Sequence, residues 1–326
     1  MNGLKTGLAA LALLVSTTAG AAGAEVLQGG LELRWGDPFA PEGAAGLAPR
    51  FEAHLVLDDG RRIALDPEQA RRGAGDLYAL ANRRVAVEFS RPSGARGASS
   101  TRRIEAIVPA DRFGQPQRDH LVAGPADAVA QDVLGSTRWI TIACRFSDIA
   151  TEQKPVSFFR EQYGEAVGQL GHYWREVSYD RINLQGSDAV GWYALRNPRR
   201  HYVAIDAEGT ETADLDALFN DCTAAADADV DFSQVLGINM MFNGDLDGFA
   251  WGGGRCATLD GRSHCWSTTW NPPWSFNNVA PLAHEMGHGY GLPHSDNSDG
   301  DADPYDNPWD VLSSARHNAV HDPRYG

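Results

Sequence analysis

Lysine is nearly absent from this chain: Lys5 and Lys154 are the only two, and arginine supplies the rest of the 28 basic residues. Set against 43 acidic residues they leave a formal net charge of -15. A nucleic-acid-binding protein needs a basic face to replace counterions, so no nucleic-acid partner is expected. Beyond residue 24 no run approaches ~20 uninterrupted apolar residues, and no membrane span is expected. No internal repeat of solenoid or propeller length occurs. A Cys-x-x-Cys pair is missing as well, which removes the usual signature of a dithiol redox site.

What is present divides the chain into three parts. Residues 1–24 have the layout of a signal peptide: Lys5 near the start, an apolar run from Leu8 to Val15, and the small residues Ala22-Gly23-Ala24 before Glu25. Secretion is therefore expected, to the exterior or through the periplasm in transit. The four cysteines suit a compartment in which disulfides persist. Asp260-Gly261 is a strong two-residue hairpin turn, and in its register Leu259 faces Arg262 and Cys256 faces Cys265, so this pair is expected to bridge. Cys144 and Cys222 remain, as a second bridge or as two buried thiols.

Alternation in Leu31-Glu32-Leu33-Arg34-Trp35 and in Val85-Ala86-Val87-Glu88-Phe89, with an Asp59-Gly60 turn between two further apolar runs, predicts a small β-rich N-terminal domain or pro-region over 25–132. Its last part, 112–130, reads as a linker. From 133 to 326 strands and helices alternate. An apolar strand begins at Trp139, and a helix from Pro155 carries Val167, Leu170, Trp174 and Val177 on one face. Edge strands follow near 181–186 and 191–193, then a helix over 211–227 with Leu215, Phe219, Cys222 and Ala226 inward, then a strand at 237–242. This order predicts an α/β domain with a twisted mixed sheet.

The chemistry is concentrated in His284-Glu285-Met286-Gly287-His288-Gly289-Tyr290-Gly291-Leu292-Pro293-His294, which reads as H-E-x-x-H-x-x-G-x-x-H. Histidines four apart on a helix reach one ion from the same face, and Gly291 lets the chain reverse so that His294 arrives from another side. Three protein ligands leave one position open, the pattern of a catalytic Zn2+ site. Glu285, beside a ligand, is placed to act as general base and then general acid toward a zinc-activated water. Ser275 or Asn277 is the expected cap of this helix, and Pro281 is tolerable only if the helix starts close before it.

From Trp139 onward the chain resembles the metzincin metallopeptidases, in particular the immune inhibitor A-type and gametolysin-type secreted enzymes. The resemblance rests on the zinc motif, the order of elements, Tyr173-Trp174-Arg175-Glu176-Val177-Ser178-Tyr179, Trp251-Gly252-Gly253, and Tyr305-Asp306-Asn307-Pro308-Trp309-Asp310-Val311. It implies a zinc endopeptidase acting on proteins or peptides, with His284, His288 and His294 on the metal and Glu285 as catalyst. Metzincins place a methionine in a turn beneath the zinc; here Leu312 stands there, a similar-volume swap that should let the turn form. The tyrosine that assists in some of them is replaced by Ser314, leaving Tyr290 and Tyr305 as helpers or packing residues. The helix that follows the turn in such enzymes is not evident before Gly326. Ser267-Thr268-Thr269-Trp270 is expected beside the cleft, where an extended peptide would add as a strand.

Residues 25–132 contain no cysteine, so no thiolate from this part can sit on the metal; an aspartate could, and Gly36-Asp37 is a candidate for that role or for a plain turn. Ca2+ is conceivable at Asn243-Gly244-Asp245-Leu246-Asp247-Gly248, which lacks the closing Glu of an EF-hand, and at 296–306, rich in Asp. Two other functions remain open: a non-catalytic zinc-containing binding or adhesion protein, which would not need Glu285, and a zinc hydrolase of a non-peptide substrate. The N-terminus of protein recovered from culture medium separates two fates of the first part: a start at Glu25 marks a permanent domain, and a start near Leu134 marks a removed pro-region.

Overall fold

The computed structural model describes residues 25–38, 47–90, 102–113, 133–299 and 303–313. The signal peptide, most of the linker, Ser314 and the C-terminal residues lie outside these. In chain order the strands are β1 (Glu25–Pro38), β2 (Arg50–Leu57), β3 (Arg62–Leu65), β4 (Arg84–Ser90), β5 (Arg103–Pro109), β6 (Gly135–Ser136), β7 (Trp139–Arg145), β8 (Ile182–Asn183), β9 (Asp188–Ala194), β10 (Val203–Ile205), β11 (Glu211–Ala213), β12 (Gly237–Phe242), β13 (Phe249–Leu259) and β14 (Arg262–Asn271). Six α-helices occur among the described residues: α1 (Pro67–Ala74), α2 (Val156–Gln162), α3 (Leu170–Val177), α4 (Arg199–Tyr202), α5 (Leu215–Ala226) and α6 (Val279–Gly289).

Ten of the strands form one mixed sheet in the order β3-β2-β1-β13-β14-β12-β7-β9, with β4 and β5 attached through β1. β12 lies parallel to β14 and β7, and β7 parallel to β9; the other pairs are antiparallel. Every residue of β12 is buried, as is all of β7 except Arg145, because helices cover both faces of the parallel part. α5 packs Leu218 and Phe219 against Ile142, Met240 and Trp270 on one face. On the other, α2, α3 and α6 pack Phe159, Trp174 and Met286 around Trp139 and Met241. The mixed α/β architecture expected from the element order is thus present.

The hairpin forms in the register its turn dictates, Leu259 opposite Arg262 and Cys256 opposite Cys265, with Asp260 and Gly261 at φ 50° and 71°. Cys256–Cys265 is bridged, and so is Cys144–Cys222, with Cα atoms 6.0 Å apart, which ties β7 to α5. The single helix expected between Pro155 and Val177 is two. The first of them ends at Gln162, Gly168 at φ 90° lies in the non-helical segment before the second, and Val167 and Val177 are exposed rather than part of the apolar face. The following helix starts later than expected: Glu211–Ala213 pairs with β10, and Asp214 caps α5 by accepting from the Ala217 N–H at 2.9 Å.

The N-terminal strands have their own apolar cluster under α1, including Leu31, Leu55, Leu80 and Val87. They join the strands of the second part in one sheet, because β1 pairs with β13. β1 is long enough to serve two neighbours along one edge, β4 over Glu25–Gly30 and β13 over Arg34–Pro38, while β2 lines the other edge. An open edge of β13 is thereby covered, which removes a row of unpaired backbone groups. Alternation along β1 sends Leu31, Leu33, Trp35 and Asp37 to one face and Glu32 and Arg34 to the other. There the fully buried Glu32 accepts from Arg34, Arg62, Arg255 and the Cys256 N–H, and the same three arginines pair with Asp216 of α5.

Burial alone would raise the Glu32 carboxyl, but Arg34, Arg62 and Arg255 outweigh it and hold the pKa below the ordinary 4.5. A depressed carboxylate contributes stability that is present above its unfolded value and lost as pH falls through the folded one. Glu32→Gln, which leaves three buried guanidinium groups undercompensated, is expected to cost about 3–5 kcal/mol at neutral pH. Urea unfolding should show that difference narrowing as pH drops below 4.5; a neutral-pH loss under about 1 kcal/mol would mean the network acts like a solvated surface cluster.

Candidate metal centre

Helix α6 starts at Val279 under an Asn278 cap, whose side chain accepts from the Ala280 N–H at 3.1 Å, so neither Ser275 nor Asn277 is the cap. Pro281 consequently sits in the first turn, where its missing N–H breaks no intrahelical bond. At the other end Gly291 takes φ 86°, the Leu292 N–H donates to the Gly287 carbonyl at 3.0 Å, and the Gly291 N–H donates to that of His288 at 2.9 Å. These are the two bonds of a Schellman cap, and they turn the chain so that His294 faces back toward the helix.

All of α6 is buried, wedged between β13, β14 and the turn at 310–313. The close approach needs small residues. A Cβ at Gly252 would lie 2.4 Å from the Glu285 carbonyl oxygen, and one at Gly287 would lie 2.9 Å from the Leu312 side chain. Leu312 therefore fills the floor beneath the helix. The same turn contributes the Val311 carbonyl, which accepts from His284 Nδ1 at 2.6 Å.

The Leu292 carbonyl accepts from His288 Nδ1 at 2.7 Å, released for the purpose by the helix cap. A carbonyl can only accept, so both Nδ1 atoms carry the ring proton and both Nε2 atoms present lone pairs. Those two Nε2 atoms face each other at 3.0 Å. Lone pair against lone pair is repulsive unless a cation or an added proton lies between them, so the donor chemistry fits a metal ion. Trp35 stacks on the His288 ring at 4.7 Å and an interplanar angle of 7°, fixing its plane.

The fourth member comes from β1. Asp37 Oδ2 lies 3.2 Å from His284 Nε2 and 3.3 Å from His288 Nε2, and Oδ1 lies 2.8 Å from His294 Nε2. The ligand atoms of Asp37, His284, His288 and His294 all fall within 4.8 Å of one another and can hold a metal ion. Burial opposes ionisation of Asp37, but the three imidazoles around it outweigh that and keep the carboxyl well below its ordinary range. Burial pushes His288 the opposite way, toward the neutral form that a ligand requires, against the pull of Asp37. Asp37, His284 and His288 are fully buried, and the His294 side chain is 13 % exposed. A cavity of about 890 Å3 opens elsewhere, lined by Asp58, Arg84, Arg255 and the Cys256–Cys265 bridge.

The three histidines expected from sequence are thus brought together, with Glu285 buried on the same helix. Gly36-Asp37 is not a turn: both residues pair with β13. A signal for Asp37 was present in the alternation, since a carboxylate continues the apolar face of Leu31, Leu33 and Trp35. Of the two tyrosines, Tyr290 packs away from the metal ligands, with its hydroxyl 2.8 Å from Thr137 Oγ1 and accepting from Trp139 Nε1 at 2.9 Å. Tyr305 is at the site, its ring 5.1 Å from that of His294 and its hydroxyl donating to Asp37 Oδ1.

The calcium loops look different. Asn243 braces the chain by donating to the Ile149 and Thr151 carbonyls, and Asp247 accepts from Trp251, Ala213 and Arg50. Asp299 and Asp306 are held by the Asn297 amide; residues 300–302 lie outside the described part. Among the described residues neither loop gathers three side chains that could hold an ion, whereas the histidine site does.

A divalent transition ion titrated into chelator-stripped protein is expected to bind once per chain and to stabilise it by about 2.7 kcal/mol at a free concentration a hundred times Kd. His288→Ala should lose that rise in Tm, whereas an unshifted Tm in the unsubstituted protein would remove the site. No protein-family model, curated protein or solved structure matches this chain.

Proposed function

We propose that this protein is an exported, metzincin-like zinc endopeptidase that hydrolyses peptide bonds in proteins. The observation that carries the reading is the pair of inward-facing Nε2 atoms with both Nδ1 protons committed to carbonyls, joined by His294 and flanked in sequence by Glu285. Tetrahedral zinc with bonds of about 2.0–2.1 Å spaces its ligand atoms by about 3.3 Å. The separations of 3.0, 3.2 and 3.3 Å among His284, His288 and Asp37 support that ion, as does the imidazole-rich donor set.

Zinc, when bound, polarises a carbonyl and lowers the pKa of water toward neutrality. The chain's own part is to orient and to move a proton. Val311 and Leu292 fix the imidazoles through Nδ1, and such partners also raise the basicity of the ligand nitrogen. Glu285 takes the proton from the attacking water on its carboxylate and returns it to the nitrogen of the leaving amine.

A second reading draws on Asp37. Three imidazoles and a carboxylate make a complete tetrahedral set, which suits a structural zinc in a non-catalytic binding protein. Cleavage of casein by the zinc-loaded Asp37→Ala chain separates the two, because the substitution opens the set. Glu285→Gln in that background is expected to lower kcat/KM by about 10²–10⁴ with the zinc content unchanged. New peptide termini seen by mass spectrometry would identify the bond broken; equal rates for the two chains, or none from either with zinc bound, would leave the structural reading.

A further inference from the structure

The carbonyl that ends the ligand helix has no partner within it. Pro293, four residues ahead of Gly289, has no N–H, and the Leu292 N–H is committed to Gly287. Two side chains from distant parts of the chain meet the Gly289 oxygen instead. Asn82 Nδ2 donates to it at 3.1 Å across 207 positions of sequence, and Ser267 Oγ donates to it at 2.6 Å. The sequence points to Ser267–Trp270 as an edge for an added strand, but β14 is enclosed between β13 and β12 and offers none. The Ser267 hydroxyl is turned onto the helix end.

Asn82 is built into its place. Its φ of 60° lies in the left-handed region, which asparagine tolerates better than most residues. Its N–H donates to the Leu31 carbonyl at 2.9 Å, and the Leu31 N–H donates to the Arg83 carbonyl at 2.8 Å. Leu77 and Leu80, just before it, belong to the N-terminal core. The side chain lies flat against Gly254, where a Cβ would lie 1.7 Å from Oδ1, and Oδ1 has no hydrogen-bond partner among the described residues. Reversing the amide would set that oxygen against the Gly289 carbonyl, so the donor is fixed on the helix side. The preceding residues back the reversal itself: a Cβ at Gly291 would lie 3.1 Å from the Ala81 methyl and 3.2 Å from the Tyr78 carbonyl oxygen.

We propose that Asn82 is a positioning residue of the metal centre, which with Ser267 clamps the Gly289 carbonyl while residues 78–82 seat the reversal that brings His294 to the site. His288 precedes the clamped carbonyl by one residue, and its Nδ1 bond to Leu292 spans the same reversal. A loosened helix end lets His288 and His294 drift, while His284, a turn earlier and held by Val311, keeps its place. The proposal rests on metal binding at the histidines and holds whether or not a peptide bond is broken there.

The test measures the Co2+ affinity of the full chain at a temperature where circular dichroism shows every variant folded, so that a loss of stability alone does not register. Asn82→Asp keeps the size of the side chain, removes the donor and places a negative charge at the C-terminal end of the helix. Asn82→Gly keeps the left-handed backbone and removes the side chain. Each is expected to raise the Co2+ Kd by about tenfold or more, the effect of losing a group that orients metal ligands, and to change the visible spectrum. An unchanged Kd in both variants, with only Tm lowered, would make Asn82 a purely structural residue and overturn the proposal with the metal site intact. No Co2+ binding by the unsubstituted chain would remove site and proposal together.

Ser267→Ala checks the route. Its effect on Kd should be larger in the Asn82→Gly chain than in the unsubstituted one, because only there does the carbonyl lose its last partner. Effects that simply multiply would deny the Gly289 carbonyl its part and overturn the clamp.

Discussion

Two nitrogen lone pairs held 3.0 Å apart in a buried site are the constraint around which this structure is built. Each is fixed because the opposite nitrogen of its ring has been committed to a carbonyl. The Val311 carbonyl comes from a turn that packs Leu312 under Gly287, and the Leu292 carbonyl comes from the Schellman reversal at Gly291. Neither ring can rotate to relieve the contact without breaking a bond of 2.6 or 2.7 Å in a place that excludes water. A cation resolves the conflict, and the third imidazole and a carboxylate converge on the same space. The four side chains converge so that they can hold a metal ion, with the ring orientations fixed from outside by the two carbonyls.

β1 carries two loads because its side chains alternate. Toward one face it presents Leu31 and Leu33 to the N-terminal core, then Trp35 to the His288 ring and Asp37 to the metal ligands. Toward the other it presents Glu32 and Arg34 to a buried set of three arginines and two carboxylates that reaches α5. The ion network is strong only if complete, and its completeness sets the register of β1 against β13. That register decides which residue arrives at the histidines. A slip of one residue would send Asp37 to the opposite face and bring Gly36 or Pro38 in its place. Stability of the sheet and the make-up of the candidate metal site are therefore coupled through a single strand.

The parts that were legible in the residues are those governed by local rules. The spacing of His284 and His288, the reversal at Gly291 and the register of the Cys256–Cys265 hairpin follow from the helical period, from a positive φ and from a two-residue turn, and each is present in the fold. Where local rules competed, the reading went astray. Val167 and Val177 fit a helical period with Leu170 and Trp174, yet the first helix stops at Gln162, the second starts only at Leu170, and both valines face solvent.

The sequence by itself determined the ligand helix, the chemistry of its side chains and the alternation of β1, since these depend on residues a few positions apart. Only the tertiary structure decided that β1 lies on β13, that β14 is interior, that Cys144 meets Cys222, and that Asp37 completes the histidine set across 257 positions of sequence. Strand edges carry no side-chain code for their partners; every edge offers the same backbone donors and acceptors. The choice among them is made by what the two faces bury once the sheet is assembled, here an apolar core, an ion network and a metal site on one strand.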